Sequence, residues 1–223
     1  MKRRKPSKTR ILLVEDHQVV RQGIVQLIGQ EADLEVCGEA SDANEAMEQI
    51  ARAKPDVVII DISLPGMNGI ELLKHLKVEH PGLPAVVLSM HDEALYAERA
   101  LRAGALAYVM KKESSDELLL AIRKAREGQV HVSEKVGGNL FQKFVGTKRP
   151  VESSVGRLSD RELEVFELLG HGRGSKEIAR QLRLSVKTVD THRGRIKEKL
   201  NLRGSTEMIQ RAVQWVEREN HGE

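Results

Sequence analysis

The sequence predicts a doubly wound α/β domain with five parallel strands, followed by a separate all-α domain of four helices. Three observations carry this prediction. The chain has 223 residues, which suits two small domains better than one. Its first half alternates short apolar runs with stretches of helical spacing, the mark of right-handed βαβ units. Its last third has helical spacing only.

The apolar runs are Ile11–Val14, Leu34–Cys37, Val57–Ile60, Ala85–Leu88 and Ala107–Met110. Most are apolar throughout, as strands buried on both faces require. The second contains Glu35 and alternates, which predicts an edge strand. Helical spacing covers Val19–Gln30, Ala43–Lys54, Gly69–Glu79, Ala94–Ala103 and Glu117–Glu127. These elements set the first domain at residues 10–128. Residues 129–156 form a linker. Within it 133–144 is a probable further helix, with Val136, Leu140 and Phe144 along one side, and Gly146–Gly156 is a polar, flexible run. The second domain is set at 157–220. Ser159-Asp160-Arg161-Glu162 matches a capping box that opens its first helix, and apolar Leu163, Phe166 and Leu169 follow before Gly170 and Gly172. Lys176–Leu182 predicts a second helix, Ser185 caps a third ending near Leu200, and Thr206–Val216 gives a fourth. Helices this short must share one core.

Composition narrows the class. Hydrophobic residues make up 40% and aromatics 3%, so the cores rest on aliphatic side chains. No apolar run approaches the ~20 residues of a membrane span, and Ile11–Val14 is too short for a secretory core, so a cytoplasmic protein is expected. The lone Cys37 excludes an intramolecular disulfide and reads as a structural thiol. Residues 1–9 read as a disordered, solubilising basic tail rather than a DNA arm. Charge is unevenly spread: residues 1–10 are net +6, 11–146 net −7 and 147–223 net +4, while Arg173–Arg203 alone is net +7. A basic segment behind an acidic domain is a nucleic-acid footprint.

Polar residues follow four of the five runs: Glu15 and Asp16, then Asp61, Ser89 and Lys111. In a doubly wound sheet the carboxyl ends of the strands border the ligand crevice, so residues up to 96 positions apart are expected to meet there. Three carboxylates repel one another unless a divalent cation lies among them. Mg²⁺ suits an oxygen-only set and can offset phosphoryl charge. Asp61 is then the nucleophile that forms an acyl phosphate, with Lys111 and Ser89 stabilising phosphoryl oxygens. A haloacid-dehalogenase-like phosphatase would carry aspartate two positions after its nucleophile, where this chain has Ser63. A small-molecule-sensing regulator would not need this polar set.

The stretches LLVEDH (12–17), PDVVIIDISLPGMNGIELL (55–73), VVLSMHDE (86–93) and AGALAYVMKK (103–112) resemble the receiver domain of two-component response regulators. The resemblance implies a flavodoxin-like strand order 2-1-3-4-5 and Asp61 as phosphoacceptor. It further implies Mg²⁺ or Mn²⁺ held by Asp16, Asp61, the Ser63 backbone carbonyl and, through water, Glu15. Ser89 and Tyr108 resemble the switch pair, and Lys111 the phosphoryl-binding lysine. Ser63 and His91 resemble positions that tune acyl-phosphate lifetime. Lys112 stands where many receivers have proline.

In the second domain, Lys176–Leu182, a tight turn and the helix after Ser185 form a helix-turn-helix pattern within the basic segment. Val189, Arg193, Ile196 and Leu200 share an inner face with His192 beside them. Lys187, Thr188, Asp190, Thr191, Gly194 and Arg195 are the expected DNA-binding residues. Lys187, Thr188 and Arg195 can reach phosphates; Asp190 can accept from a cytosine amine, and the Thr191 methyl can touch thymine. Gly194 fits either close approach to DNA or a neutral substitution. LSDRELEVFELL, KEIARQL and SVKTVDTHRGRIKEKL resemble the LuxR-type helix-turn-helix, and the whole chain resembles the NarL/FixJ group of response regulators. Gly174-Ser175 replaces the usual Ser-Asn, and Asp190 and Gly194 stand where several relatives have lysine. The resemblance implies a regulator that takes its phosphoryl group from a sensor histidine kinase, becomes an active homodimer on double-stranded DNA, and is not a metabolic enzyme.

Overall fold

The computed structural model describes residues 8–145 and 154–221. The first unit alternates β1 (Thr9–Val14), α1 (Gln18–Gly29), β2 (Leu34–Ala40), α2 (Ala43–Ala53), β3 (Val57–Ile60), α3 (Gly69–Glu79), β4 (Ala85–Ser89), α4 (Glu93–Ala103), β5 (Ala107–Met110) and α5 (Ser115–Arg126). The strands form one parallel sheet in the order β2-β1-β3-β4-β5, as expected. Because side chains alternate across a sheet, each central strand feeds two apolar layers. Ile11, Leu13, Val57, Ile59, Val86 and Val109 pack with Ile24, Ile28, Leu119 and Ile122 of α1 and α5. The alternate residues Leu12, Val58, Ile60 and Val87 are also fully buried.

Two boundaries differ from the sequence reading. Thr9, placed in the basic tail, begins β1: it pairs with Leu34 and its N–H donates to the Asp33 carbonyl at 2.8 Å. Residues 1–7 of the expected tail lie outside the described residues. β2 runs three residues past Cys37 because the register with β1 jumps from Ile11↔Val36 to Leu12↔Gly38, leaving Cys37 as the extra residue of a bulge.

After α5 the chain does not simply leave the domain. His131 bridges to Ala107 in parallel register. Its carbonyl accepts from Tyr108 N–H at 3.1 Å, and its own N–H donates to Leu106 at 2.8 Å. The helix expected at 133–144 is α6 (Glu134–Phe144). Residues 146–153, the bulk of the expected flexible run, lie outside the described residues.

The second unit opens on a 3₁₀ turn at Ser154–Arg157, followed by α7 (Asp160–Gly170), α8 (Ser175–Gln181), α9 (Val186–Leu200) and α10 (Ser205–His221). Val155 is buried, so the end of the expected linker belongs to this core. α7 carries the predicted capping box, with Ser159 and Glu162 satisfying each other's N–H groups. Leu163, Phe166, Leu169, Ile178, Val189, Ile196, Met208 and Ala212 fill the interior, and Phe166 packs on Trp215 with ring centroids 5.6 Å apart. Gly170 is required by space, since a Cβ there would lie 2.6 Å from the Ala212 carbonyl oxygen of α10. Among the described residues no helix is long and apolar enough to cross a membrane.

Candidate functional site

Each strand end delivers one part of the polar set. β1 stops at Val14, and Glu15 and Asp16 turn inward behind it; β3 delivers Asp61, β4 ends on Ser89, and Lys111 follows β5. The loop after β3 is drawn tight by Gly69, whose N–H donates to the Ile62 carbonyl at 2.8 Å. A Cβ on Gly69 would sit 2.1 Å from the Asp61 carbonyl oxygen, so only glycine lets α3 start this close to Asp61. Asn68 caps α3 by accepting from Glu71 N–H.

Glu15, Asp16, His17 and Asp61 bring one potential ligand atom each to within 4.8 Å of one another. Lys111 reaches into the cluster, its Nζ 2.9 Å from Asp61 Oδ2 and 2.6 Å from Glu15 Oε2. Asp61 and Glu15 are almost fully buried. Burial, and then the neighbouring Asp61 charge, push Glu15 above the ordinary carboxylate range against the pull of Lys111. Burial works against the Lys111 charge, but the Asp61 and Glu15 carboxylates outweigh it and hold its pKa above the usual lysine value. Asp61 Oδ1 is buried with no hydrogen-bond partner among the described residues. One cation therefore answers to three carboxylates, and a buried anionic oxygen is left over. That donor set fits a further, divalent cation bound by oxygens.

Ser89 is fully buried; its Oγ accepts from His91 N–H at 3.2 Å. The Tyr108 ring is turned inward and buried, and its hydroxyl donates to the His91 carbonyl at 2.9 Å. His91 Nε2 lies 2.9 Å from Ser63 Oγ, and its ring stacks on buried Tyr96 at 4.4 Å. His91 therefore ties together the three loop residues that the sequence reading named separately. His17 was missed by that reading, although its place beside Glu15-Asp16 was a usable signal. Its Nδ1 lies 2.7 Å from Asp16 Oδ1 and 3.3 Å from Glu15 Oε1. Arg21 was missed too; its guanidinium donates to the Glu15 carbonyl at 2.5 Å.

In the second unit, Val189 and Ile196 are buried while Lys187, Asp190, Thr191 and Arg195 are exposed and Thr188 and Gly194 half-buried. The predicted outer face of α9 is thus the solvent face. Ser185 caps α9 through Thr188 N–H at 3.0 Å, and its Oγ lies 2.7 Å from Thr188 Oγ1. Thr191 Oγ1 donates to the Lys187 carbonyl at 2.9 Å, which leaves its methyl outward. Arg183, with φ of 51°, makes the sharp turn between α8 and α9. Gly174 caps α8 and lacks a side chain, so half of a capping box forms: its N–H donates to Glu177 Oε2 at 3.0 Å. Ser175 was missed as a functional residue, because its partners lie 15 and 18 positions away.

Residues 11–123 match the family described as "Response regulator receiver domain" and residues 156–212 "Bacterial regulatory proteins, luxR family". The chain is similar to the oxygen regulatory protein NreC of Staphylococcus haemolyticus, 35% identical over 209 residues that span 92% of this chain and 96% of that one. A LuxR-family two-component response regulator of Aurantimonas is 34% identical with a TM-score of 0.58, covering 62% of this chain and 99% of its own. RcsB of Salmonella enterica serovar Typhimurium, solved on the rprA promoter in the presence of the phosphomimetic BeF3-, is 25% identical with a TM-score of 0.61 over 92% and 98% of the two chains.

The fold and the two sites define a switchable DNA-binding protein, and the chain belongs to the two-component response regulators that join a receiver domain to a LuxR-type DNA-binding domain. It is a phosphorylation-dependent, DNA-binding regulator of transcription. Its family is one of regulators and not of metabolic enzymes.

Proposed function

We propose that Asp61 is the phosphoacceptor and that a sensor histidine kinase is the donor. A carboxylate oxygen of Asp61 bonds to the phosphorus, the phosphorus–nitrogen bond of the donor imidazole breaks, and that nitrogen takes up a proton. The carrying observation is the contact of Lys111 Nζ with both Asp61 and Glu15 beside the unpartnered Asp61 Oδ1. Lys111 is thereby set to receive a phosphoryl oxygen, and Ser89 to donate its hydroxyl to another. Asp16 and Asp61, with the Ser63 carbonyl and with Glu15 through water, are assigned to Mg²⁺ or Mn²⁺. When bound, that ion offsets the negative charge gathered on the incoming phosphoryl group. The receiver promotes its own phosphorylation and dephosphorylation and has no metabolic substrate: Ser63, held by His91, occupies the position where a phosphatase of the haloacid-dehalogenase type would need a second aspartate.

Residues 8–128 form the receiver, 129–156 the linker with α6, and 157–220, extended back to Val155, the DNA-binding domain. Lys187, Thr188, Asp190, Thr191, Gly194 and Arg195 present α9 to the major groove. Phosphorylation shifts a pre-existing equilibrium toward a homodimer that binds two half-sites of double-stranded DNA, and the protein acts in the cytoplasm. The test is DNA binding before and after treatment with acetyl phosphate and Mg²⁺. Wild type is expected to gain affinity and a covalent phosphoryl group, and Asp61→Ala to gain neither. Equal DNA binding by phosphorylated wild type and Asp61→Ala would remove the switch.

A further inference from the structure

α9 carries a carboxylate where a DNA-facing surface would ordinarily exclude one. Asp190 is exposed, one and a half turns into the helix, between Lys187 and Arg195 on the outer face. A carboxylate aimed at phosphates repels them; aimed at the floor of the major groove it needs a hydrogen-bond donor. Its pose is not left to chance. Ser175 Oγ, at the start of α8, donates to Asp190 Oδ1 at 2.9 Å, and the same Oγ accepts from the Arg193 guanidinium at 2.5 Å. Arg193 thus fills the hydroxyl's acceptor side and forces its proton toward Asp190. Asp190 Oδ2 has no hydrogen-bond partner among the described residues. One turn further on, Gly194 has no side chain, and a Cβ there would meet nothing within 4 Å, so nothing on the helix shields that oxygen.

We propose that Asp190, positioned by the Ser175–Arg193 pair, is a specificity-determining residue that selects a cytosine in each half-site by accepting its N4 amine. Only two major-groove groups donate, the cytosine N4 and adenine N6 amines. On adenine the donor lies beside the N7 acceptor, which a pure acceptor such as carboxylate meets unfavourably, whereas asparagine satisfies both. Guanine and thymine present acceptors that the carboxylate repels. Asp190 therefore works by attraction to one base and by repulsion of two others. Ser175 acts through Asp190 as a positioning residue. Fixing the carboxylate before binding spares the entropy of ordering it in the complex.

This inference rests on α9 being the recognition helix, and the experiment separates the two. Full-length protein, treated with acetyl phosphate and Mg²⁺, is used to select from a random double-stranded DNA library, with bound DNA sequenced. Wild type is expected to enrich a site with cytosine at one position per half-site. Affinities for that site and its single-base variants then follow. Replacing the cytosine by thymine should cost wild type about tenfold or more, the scale of one charged hydrogen bond. In Asp190→Ala the cytosine preference should vanish at that position alone, and in Asp190→Asn it should turn toward adenine. Ser175→Ala should reduce the preference, and Ser175→Thr, which keeps the hydroxyl, should restore it. A Ser175 that merely staples α8 to α9 predicts equal loss at every base position, and that result overturns the positioning role. Persistence of the cytosine preference in both Asp190 variants overturns the proposal while leaving the recognition helix intact. A wild-type chain that enriches no sequence at all overturns both.

Discussion

Gly69 is conserved in function by a distance rather than by a dihedral angle. The space a methyl group would occupy is already taken by the Asp61 carbonyl oxygen, 2.1 Å from where the Cβ would be. Neither group is a flexible side-chain tip, so the backbone itself must give way. Gly69→Ala should therefore destabilise the receiver by about 1–3 kcal/mol, the usual cost of overpacking, and should slow phosphorylation by acetyl phosphate because Asp61 moves with the loop. Denaturant unfolding and mass measurement of the phosphorylated form check the two effects. Lys111 is decided by charge instead. It is the one lysine touching Asp61 and Glu15 among the described residues. Lys111→Met leaves buried carboxylates uncompensated, and removing one partner of a buried ion pair is strongly destabilising. The expected loss is on the order of 1–3 kcal/mol without divalent cation, since carboxylate protonation absorbs part of the strain. Mg²⁺ should recover part of it, and a loss unaffected by Mg²⁺ would argue against the carboxylates as its ligands.

At the scale of elements, α7 is held at its start by two devices that share one carboxylate. Glu162 Oε2 accepts from Ser159 N–H at 2.8 Å and from Lys199 Nζ of α9 at 2.6 Å. Ser159→Ala should cost about 1 kcal/mol, as the loss of an N-cap does. Burial opposes the Glu162 charge, yet Lys199 and the Ser159 N–H outweigh it and hold its pKa below the ordinary carboxylate value. A folded-state pKa below the unfolded one means stability that is complete above the ordinary value and is lost as pH falls through the lowered one. Lys199 is well exposed, so Lys199→Met should cost a few tenths of a kcal/mol to about 1 kcal/mol near pH 7. The wild-type and variant stabilities should converge toward about pH 3; a pH-independent gap would mean packing and not charge. The capping box was legible because Ser159 and Glu162 lie within four residues of each other. The strands were legible because burial on both faces leaves unbroken apolar runs such as Val57–Ile60. The strand ends that gather Glu15, Asp61 and Lys111 were legible for the same reason. What escaped depends on partners distant in sequence. The extension of β2 comes from a bulge set by β1, Val155 joins a core that no local pattern announces, and Ser175 gains its role only from residues on α9. The bridge of His131 to β5 follows a helix terminator and looked like linker.

At the scale of the molecule, the chain divides into two compact units near Phe141, each matched by its own family. A ligand that binds one folded unit stabilises that unit by an amount set by its concentration. Mg²⁺ at a hundredfold excess over its dissociation constant should raise the receiver's stability by about 2.7 kcal/mol and leave the unfolding of the DNA-binding unit in place, as calorimetry can resolve. Coupling between the units is a separate quantity, and it must be reciprocal. If occupation of the Asp61 site raises DNA affinity by some factor, DNA must raise affinity for the occupant of the Asp61 site by the same factor. Acyl phosphate turns over, so a non-covalent mimic is the proper ligand, and beryllofluoride is suited to it. Its binding should tighten by roughly 5- to 150-fold, the range of typical coupling energies, when a selected DNA site is present. The DNA titration with and without beryllofluoride should return the same number. A receiver that binds beryllofluoride while DNA affinity stays fixed would show two domains sharing a chain without sharing an equilibrium, and the switch would then have to lie in oligomerisation driven by something other than Asp61.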